Sequence, residues 1–259
     1  MSKFTTKNLK FGYMEEEILK GINFEADSGK IYSIAGPNGS GKSTFLKNIL
    51  KLLKYKSGEI EIDGENLELL KGKRFAELFS YVPQEGGYCK EFTVYDSVMD
   101  GRYRHFTGFG SESEEDRKAV ERAMKLADIM SLKNKKIGEL SGGEKRRTLI
   151  ARAIAQESRF LVMDEPFSNL DIHHQLEISE VIEKIKNDEK RGVIMVVHDL
   201  NSAMQHSDKV MMIKSGRVFA FGEPKEVLSV ENIKEVYGID ILIADIKGYR
   251  NGYIIPVVK

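Results

Sequence analysis

The stretch "GPNGSGKS", residues 36–43, fits the pattern G-x-x-x-x-G-K-[ST]. Glycines at this spacing let backbone N–H groups converge on phosphate oxygens, and a helix starting at its end adds positive potential. In such a loop Lys42 reaches the β- and γ-phosphates, and the Ser43 hydroxyl ligates Mg²⁺. A second stretch, "RFLVMDEP" (159–166), reads as an apolar strand closed by two acids. Carboxylates are costly at an apolar strand end unless a cation meets them. Alone, the motif also fits a solvated strand end before a proline-marked turn; beside a phosphate-binding loop the expected cation is Mg²⁺. Asp164 then belongs to the metal shell, and Glu165 polarises an attacking water.

Three further sites read less directly. His198 follows the apolar run "VIMVV". The C-terminal end of a parallel strand is where α/β sheets bind ligands, and imidazole suits a γ-phosphate contact. A structural histidine fits the same pattern. Gln84, closing "SYVPQ", is an amide that reaches metal or water, or equally a turn residue. In "LSGGE" (140–144), Ser141 and Glu144 form a capping box at a helix start. Gly142 and Gly143 leave backbone donors open to an anion. Alone, the pentapeptide predicts a well-capped helix.

These groups need a scaffold of strands and helices. "KFTTKNLKFGY" (3–13) and "ILKGINFEAD" (18–27) alternate loosely and predict antiparallel, half-exposed strands. "KIYSIAG" (30–36) is a short strand, and "KSTFLKNILKLL" (42–53) has helical spacing, so the glycine loop lies between strand and helix. "GEIEIDGENL" predicts a strand and an Asp-Gly turn, and "LFSYVPQ" (78–84) another strand. From 93 to 136 the pattern is helical and charged, with "SESEEDRKAVERAMKLADIM" reading as an exposed amphipathic helix. After "LSGGE" come a helix, the strand "RFLVMDEP", a helix over about 171–188, the strand "GVIMVVH", a short helix and the strand "KVMMIKSG". The tail 223–259 reads as a helical stretch and two short strands. Short strands alternating with helices predict an α/β fold with a parallel sheet core. The N-terminal strands form a subsidiary antiparallel β part, and about 90–155 an inserted helical subdomain.

Composition narrows the function classes. The 259 residues allow one large domain or two small ones, and 41% hydrophobic with 31% charged suits a globular protein with a sizeable core. Lys+Arg and Asp+Glu both number 40, so no net positive charge points to a nucleic-acid partner. Cys89 is the single cysteine, read as a stray thiol; no internal disulfide can form, which fits a reducing compartment without requiring one. The start "MSKFTTKNLK" has no apolar core of a signal peptide. Apolar runs such as "FLVM" and "VIMVV" fall far short of the roughly 18 residues of a membrane span. Membrane association is therefore expected through a partner.

Together these motifs resemble the ATPase subunit of ABC transporters, in that family's order and over nearly the whole chain. Tyr13 matches the aromatic that stacks on adenine, and "GPNGSGKST" (36–44) matches Walker A. Gly36, Pro37, Asn38, Gly39, Ser40, Gly41, Lys42, Ser43 and Thr44 are thereby candidates for ATP contact. Gln84 matches the Q-loop residue, "LSGGE" the signature, "LVMDE" Walker B, "SNLD" (168–171) the D-loop, and "HDL" with His198 the switch. The resemblance implies a P-loop NTPase fold that binds ATP and Mg²⁺. It assigns catalysis to Glu165, His198 and Gln84, and metal contact to Ser43, Gln84 and Asp164. It also implies a head-to-tail homodimer, in which Ser141, Gly142 and Gly143 meet the γ-phosphate of a nucleotide held by the second copy. Asp171 lies at that interface. The single ABC ATPase domain 1–259 then comprises a nucleotide-binding core of about 1–89 and 156–259 and a helical subdomain of about 90–155.

Glu144 stands where the family more often has Gln, and is expected to face the helix cap. "FTVYDSVMDGRYRH" (92–105), "NLDIHHQLEISEVI" (169–182) and the tail "EVYGIDILI" are similar to the ATPases of importers for iron-siderophore, haem and vitamin B12. Arg104 departs from that pattern, which has Pro there. The resemblance implies an ATP-hydrolysing subunit on the cytoplasmic face of the cell membrane. Its segment 85–105 would meet a membrane permease supplied with cargo by an extracytoplasmic binding protein. The alternatives are a soluble ABC ATPase acting on DNA or ribosomes, and an exporter subunit. The first usually carries coiled-coil insertions or two fused halves, and exporters often fuse a membrane domain. None of these features occurs here.

Overall fold

The computed structural model describes residues 1–86, 88–105 and 112–257, without the side chain of His105. The chain forms two compact units, Met1–Leu69 with Ile194–Lys259, and Leu70–Val193.

The first unit opens with β1 (Lys3–Tyr13) and β2 (Glu16–Asp27), paired antiparallel from Lys3↔Asp27 to Tyr13↔Glu16. The fully buried β3 (Ile31–Ala35) leads through the glycine loop into α1 (Lys42–Ile49). This helix stops four residues short of the pattern-based expectation. Lys51 turns left-handed at φ 58°, and its ammonium donates to the carbonyls of Leu67 and Glu68. The N–H groups of Leu52 and Leu53 both fall back on the Lys47 carbonyl. β4 (Ser57–Ile62) and β5 (Glu65–Asn66) flank Asp63 and Gly64, both at positive φ, as the Asp-Gly turn requires. The resulting sheet has the order β2-β1-β4-β5.

The second unit begins with α2 (Gly72–Leu78), unanticipated from the sequence, which runs directly into β6 (Phe79–Val82). The helical stretch of 93–136 divides into α3 (Val94–Met99) and α4 (Glu114–Leu126), the helix expected after "LSGGE" is α5 (Gly142–Ala155), and 3₁₀ turns lie at Asp100–His105, Met130–Leu132 and Ile137–Glu139. Each helix starts on its own capping box: Thr93 with Asp96, Ser113 with Asp116, Ser141 with Glu144. Ser111, placed in the second of these helices by periodicity, lies outside the described residues. Arg102 is fully buried beneath α4 and α5, donating to Asp116 Oδ1 at 2.9 Å and the Ala155 carbonyl at 2.8 Å. Arg104 donates to the Gln156 carbonyl at 2.8 Å. The departure from Pro at that position therefore has a bonding role. β7 (Phe160–Asp164) pairs parallel with β6, from Phe79↔Phe160 to Val82↔Met163. α6 (Ile172–Glu189) and the start of β8 (Gly192–Val196) complete the unit.

Back in the first unit come α7 (Leu200–His206), β9 (Lys209–Lys214) and β10 (Arg217–Gly222). β9 is parallel to β3, and β10 antiparallel to β9. β10 was missed in the sequence, although Ser215 and Gly216 carry the positive φ of a hairpin turn. Phe24 is the hub of this unit's core, its ring within 6.1 Å of those of Phe4, Tyr32, Phe45 and Phe221. α8 (Pro224–Val227), α9 (Val230–Tyr237) and the hairpin of β11 (Ile241–Ala244) and β12 (Tyr253–Pro256) end the chain. The architecture is α/β with parallel strands, helices and a subsidiary antiparallel sheet, as the patterns predict. Among the described residues no helix is long and apolar enough to cross a membrane.

Candidate active site

In the first unit, the loop between β3 and α1 is built to leave its backbone uncovered. Gly36 has no room for a side chain: a Cβ would stand 2.3 Å from the Ile213 carbonyl oxygen. Gly39 has room but a φ of 75°, so conformation alone demands glycine there. The Ser40 N–H closes the turn onto the Pro37 carbonyl at 3.2 Å, with Asn38 and Gly39 between them. Gly41 caps α1 without any side-chain bond, and no acid lies in the first turn. The N–H groups and dipole at that end thus favour an anion.

Lys42 and Ser40 add polar side chains to the loop. The buried Lys42 ammonium folds over the loop, donating to the carbonyls of Gly36 at 2.8 Å and Pro37 at 3.0 Å. Ser40 Oγ is buried without a hydrogen-bond partner among the described residues. Ser43 and Thr44 follow, half-buried, in the first turn of α1. Tyr13, at the end of β1, is 56% exposed with its ring edge-on to Phe11 at 5.0 Å. His198 is exposed just past β8, where the Val197 N–H donates to the Ile34 carbonyl. Tyr237, at the end of α9, was not singled out by sequence. Burial pushes its phenol up to about 12, opposed by a backbone hydrogen bond from Gly36.

In the second unit, β7 is buried throughout and delivers Asp164, 7% exposed, at its end. Glu165 turns left-handed at φ 50°, a conformation costing an L-residue roughly 1–2 kcal/mol. Ser168 offsets that cost, its N–H and hydroxyl both donating to the Glu165 carbonyl. The Glu165 carboxylate accepts Gln84 Nε2 at 2.6 Å. The Gln84 backbone is itself held by α5: Arg146 donates to the carbonyls of Pro83 and Gln84, each at 2.6 Å. Burial lowers the Arg146 guanidinium, with charge on Tyr88, Asp164 and Glu165 acting the other way.

The start of α5 has the expected cap. The Ser141 N–H donates to Glu144 Oε2 at 2.7 Å, and the Glu144 N–H to Ser141 Oγ at 3.2 Å. That backbone bond from Ser141 holds the Glu144 carboxyl below its usual range. Glu144 therefore faces the cap as an ionised group. Ser141 and Gly142 are exposed, while Gly143 is buried under His174. Asp171 caps α6, accepting the His174 N–H at 2.9 Å. A cleft of about 320 Å³ separates these parts, lined by Gln84, Tyr88, Gly142, Arg146 and Asn169. Gly87, in the segment 85–105, lies outside the described residues.

A glycine loop between strand and helix, paired acids at a strand end and a capped Ser-Gly-Gly helix start define a P-loop nucleotide hydrolase. A sequence model of the ABC transporter family matches residues 19–168. An uncharacterized ABC transporter ATP-binding protein of Methanocaldococcus jannaschii is 41% identical over 96% of this chain and 94% of its own length. The iron(3+)-hydroxamate import ATP-binding protein FhuC of Bacillus subtilis is 33% identical over 93% of this chain and 89% of its own. A structure of an inward-facing metal-chelate type ABC transporter aligns with TM-score 0.86 at 26% identity, covering 100% of this chain and 99% of that one. The chain belongs to the ABC transporter family, as an ATP-binding protein of the class whose ATPase activity drives transport.

Proposed function

We propose that this chain energises an importer of a metal chelate, of the iron-siderophore, haem or cobalamin kind. The hydroxamate-import relative and the metal-chelate transporter support that cargo class. The observation that carries the chemistry is the Gln84–Glu165 hydrogen bond beside Asp164 at the end of β7. It holds one carboxylate in a fixed orientation next to a second, buried one.

Residues 36–44 cradle the triphosphate through backbone donors and the Lys42 ammonium, and Tyr13 stacks on the adenine. Ser43, Gln84 and Asp164 offer the hard oxygen ligands that suit Mg²⁺. When bound, Mg²⁺ screens phosphate charge. Glu165 takes a proton from the attacking water as the oxygen bonds to the γ-phosphorus. The bond to the bridging oxygen breaks, and ADP leaves with its electron pair. Gln84 orients Glu165, and His198 contacts the γ-phosphate.

Two copies close head to tail, with Ser141, Gly142 and Gly143 of one on the nucleotide of the other and Asp171 at the interface. Residues 85–105 dock on a permease at the cytoplasmic face of the membrane, and an extracytoplasmic binding protein supplies cargo. The core of about 1–89 and 156–259 and the helical part of about 90–155 serve these two tasks within one domain. Glu165→Gln tests this reading. It should bind ATP, lose turnover and trap a dimer in gel filtration. Turnover near the wild-type rate would remove Glu165 from the role of base.

A further inference from the structure

Arg146 lies inside the basic run Lys145–Arg146–Arg147, and nothing in the sequence separates it from its neighbours. In the structure it stands apart. It is 7% exposed, and both of its Nη groups donate to carbonyls beyond the end of β6, Pro83 O and Gln84 O. A forked guanidinium fixes direction as well as distance, which one ammonium cannot do. Pro83 has a ring-locked φ and adds stiffness where the fork attaches. The side chain of Gln84 then donates to Glu165. α5 runs unbroken from Gly142 to Ala155, so one hydrogen-bonded helix joins its N-terminal turn to Arg146.

We infer that Arg146 is a positioning residue tying the Ser141–Gly143 helix start to Glu165 through the backbone of Pro83 and Gln84. The inference rests on the reading above, in which Ser141–Gly143 meet the nucleotide of a second copy and Glu165 is the base. The nucleotide held by one copy then sets the base of the other. A displacement of α5 carries Gln84 with it, and Gln84 turns the carboxylate. Hydrolysis is cooperative in ATP because each site's base is braced by its neighbour's ligand. The open cleft beside Arg146 leaves space for a substituted side chain.

The test uses the full chain, with ATP hydrolysis followed against ATP concentration, ATP affinity by equilibrium binding and Tm by melting. Arg146→Met should lower kcat by about tenfold and bring the Hill coefficient to one, with KM and ATP affinity within about twofold of wild type. Arg146→Lys keeps the charge but has a single donor nitrogen in place of the fork, and should recover part of kcat. Wild-type kcat and cooperativity in Arg146→Met, alongside an inactive Glu165→Gln, would overturn the inference and leave the underlying reading intact. Joint loss of Tm, ATP binding and kcat, unrelieved by Arg146→Lys, would also overturn it by marking a merely structural role. A non-cooperative wild type with an active Glu165→Gln would instead remove the reading beneath it.

Discussion

The imidazole of His174 occupies the space that a side chain on Gly143 would need: a Cβ there would stand 2.3 Å from the ring's Cγ. The ring is fixed by Glu177, whose Oε2 lies 2.7 Å from Nδ1, and Glu177 in turn pairs with Arg147. The glycine is thus required by a neighbour in its own chain, independently of any ligand.

Gly143→Ala should therefore lose stability by overpacking, about 1–3 kcal/mol. Adding His174→Ala should relieve most of that loss. Urea unfolding of the two single variants and the double gives the coupling directly. If the losses simply add, the ring is not the obstacle.

Glu144 links the capping box to pH. Its folded pKa is depressed by the Ser141 N–H, so its contribution is present above the unfolded carboxylate value near 4.3 and is lost as pH falls through the lower folded value. Glu144→Gln preserves the capping-box geometry. It should melt within a few degrees of wild type at neutral pH and fall less steeply with acid. Melting curves taken from neutrality down to pH ~3 check the slope; equal slopes would contradict the linkage.

Asp116 neutralises Arg102, a cation with no exposure of its own. Asp116→Ala leaves that charge to Glu157, which is 40% exposed at its side chain. Unfolding should become easier by about 3 kcal/mol, the lower end for breaking a buried pair, because one partner remains. Denaturant titration measures it, and a loss below about 1 kcal/mol would mean that Glu157 alone suffices.

Tyr237→Phe removes the acceptor for the Gly36 backbone. A lost hydrogen bond of about 1 kcal/mol predicts ATP binding weaker by roughly fivefold. Isothermal titration with ATP reads this out. Unchanged affinity would confine Tyr237 to supporting the tail.

What the sequence made legible were features whose partners sit within a few residues. The phosphate loop, the acid pair closing β7 and the Ser141–Glu144 box all carry their chemistry in a contiguous stretch. The stop of α1 was hidden because the apolar spacing continues past it, while Lys51 finds its carbonyls at residues 67 and 68. Arg146 was hidden for a like reason, its partners lying 62 and 63 residues away. His174 over Gly143 and Tyr237 on Gly36 depend on packing between distant elements, which periodicity does not encode.

Glu165 has one more consequence, through its backbone. Its left-handed φ is a conformation that glycine and asparagine adopt with less strain than glutamate. Replacing the proposed base by Gly or Asn would ease the chain there while ending the chemistry. On the proposed role, selection for folding alone would favour inert variants at this corner, and a requirement for turnover would favour glutamate.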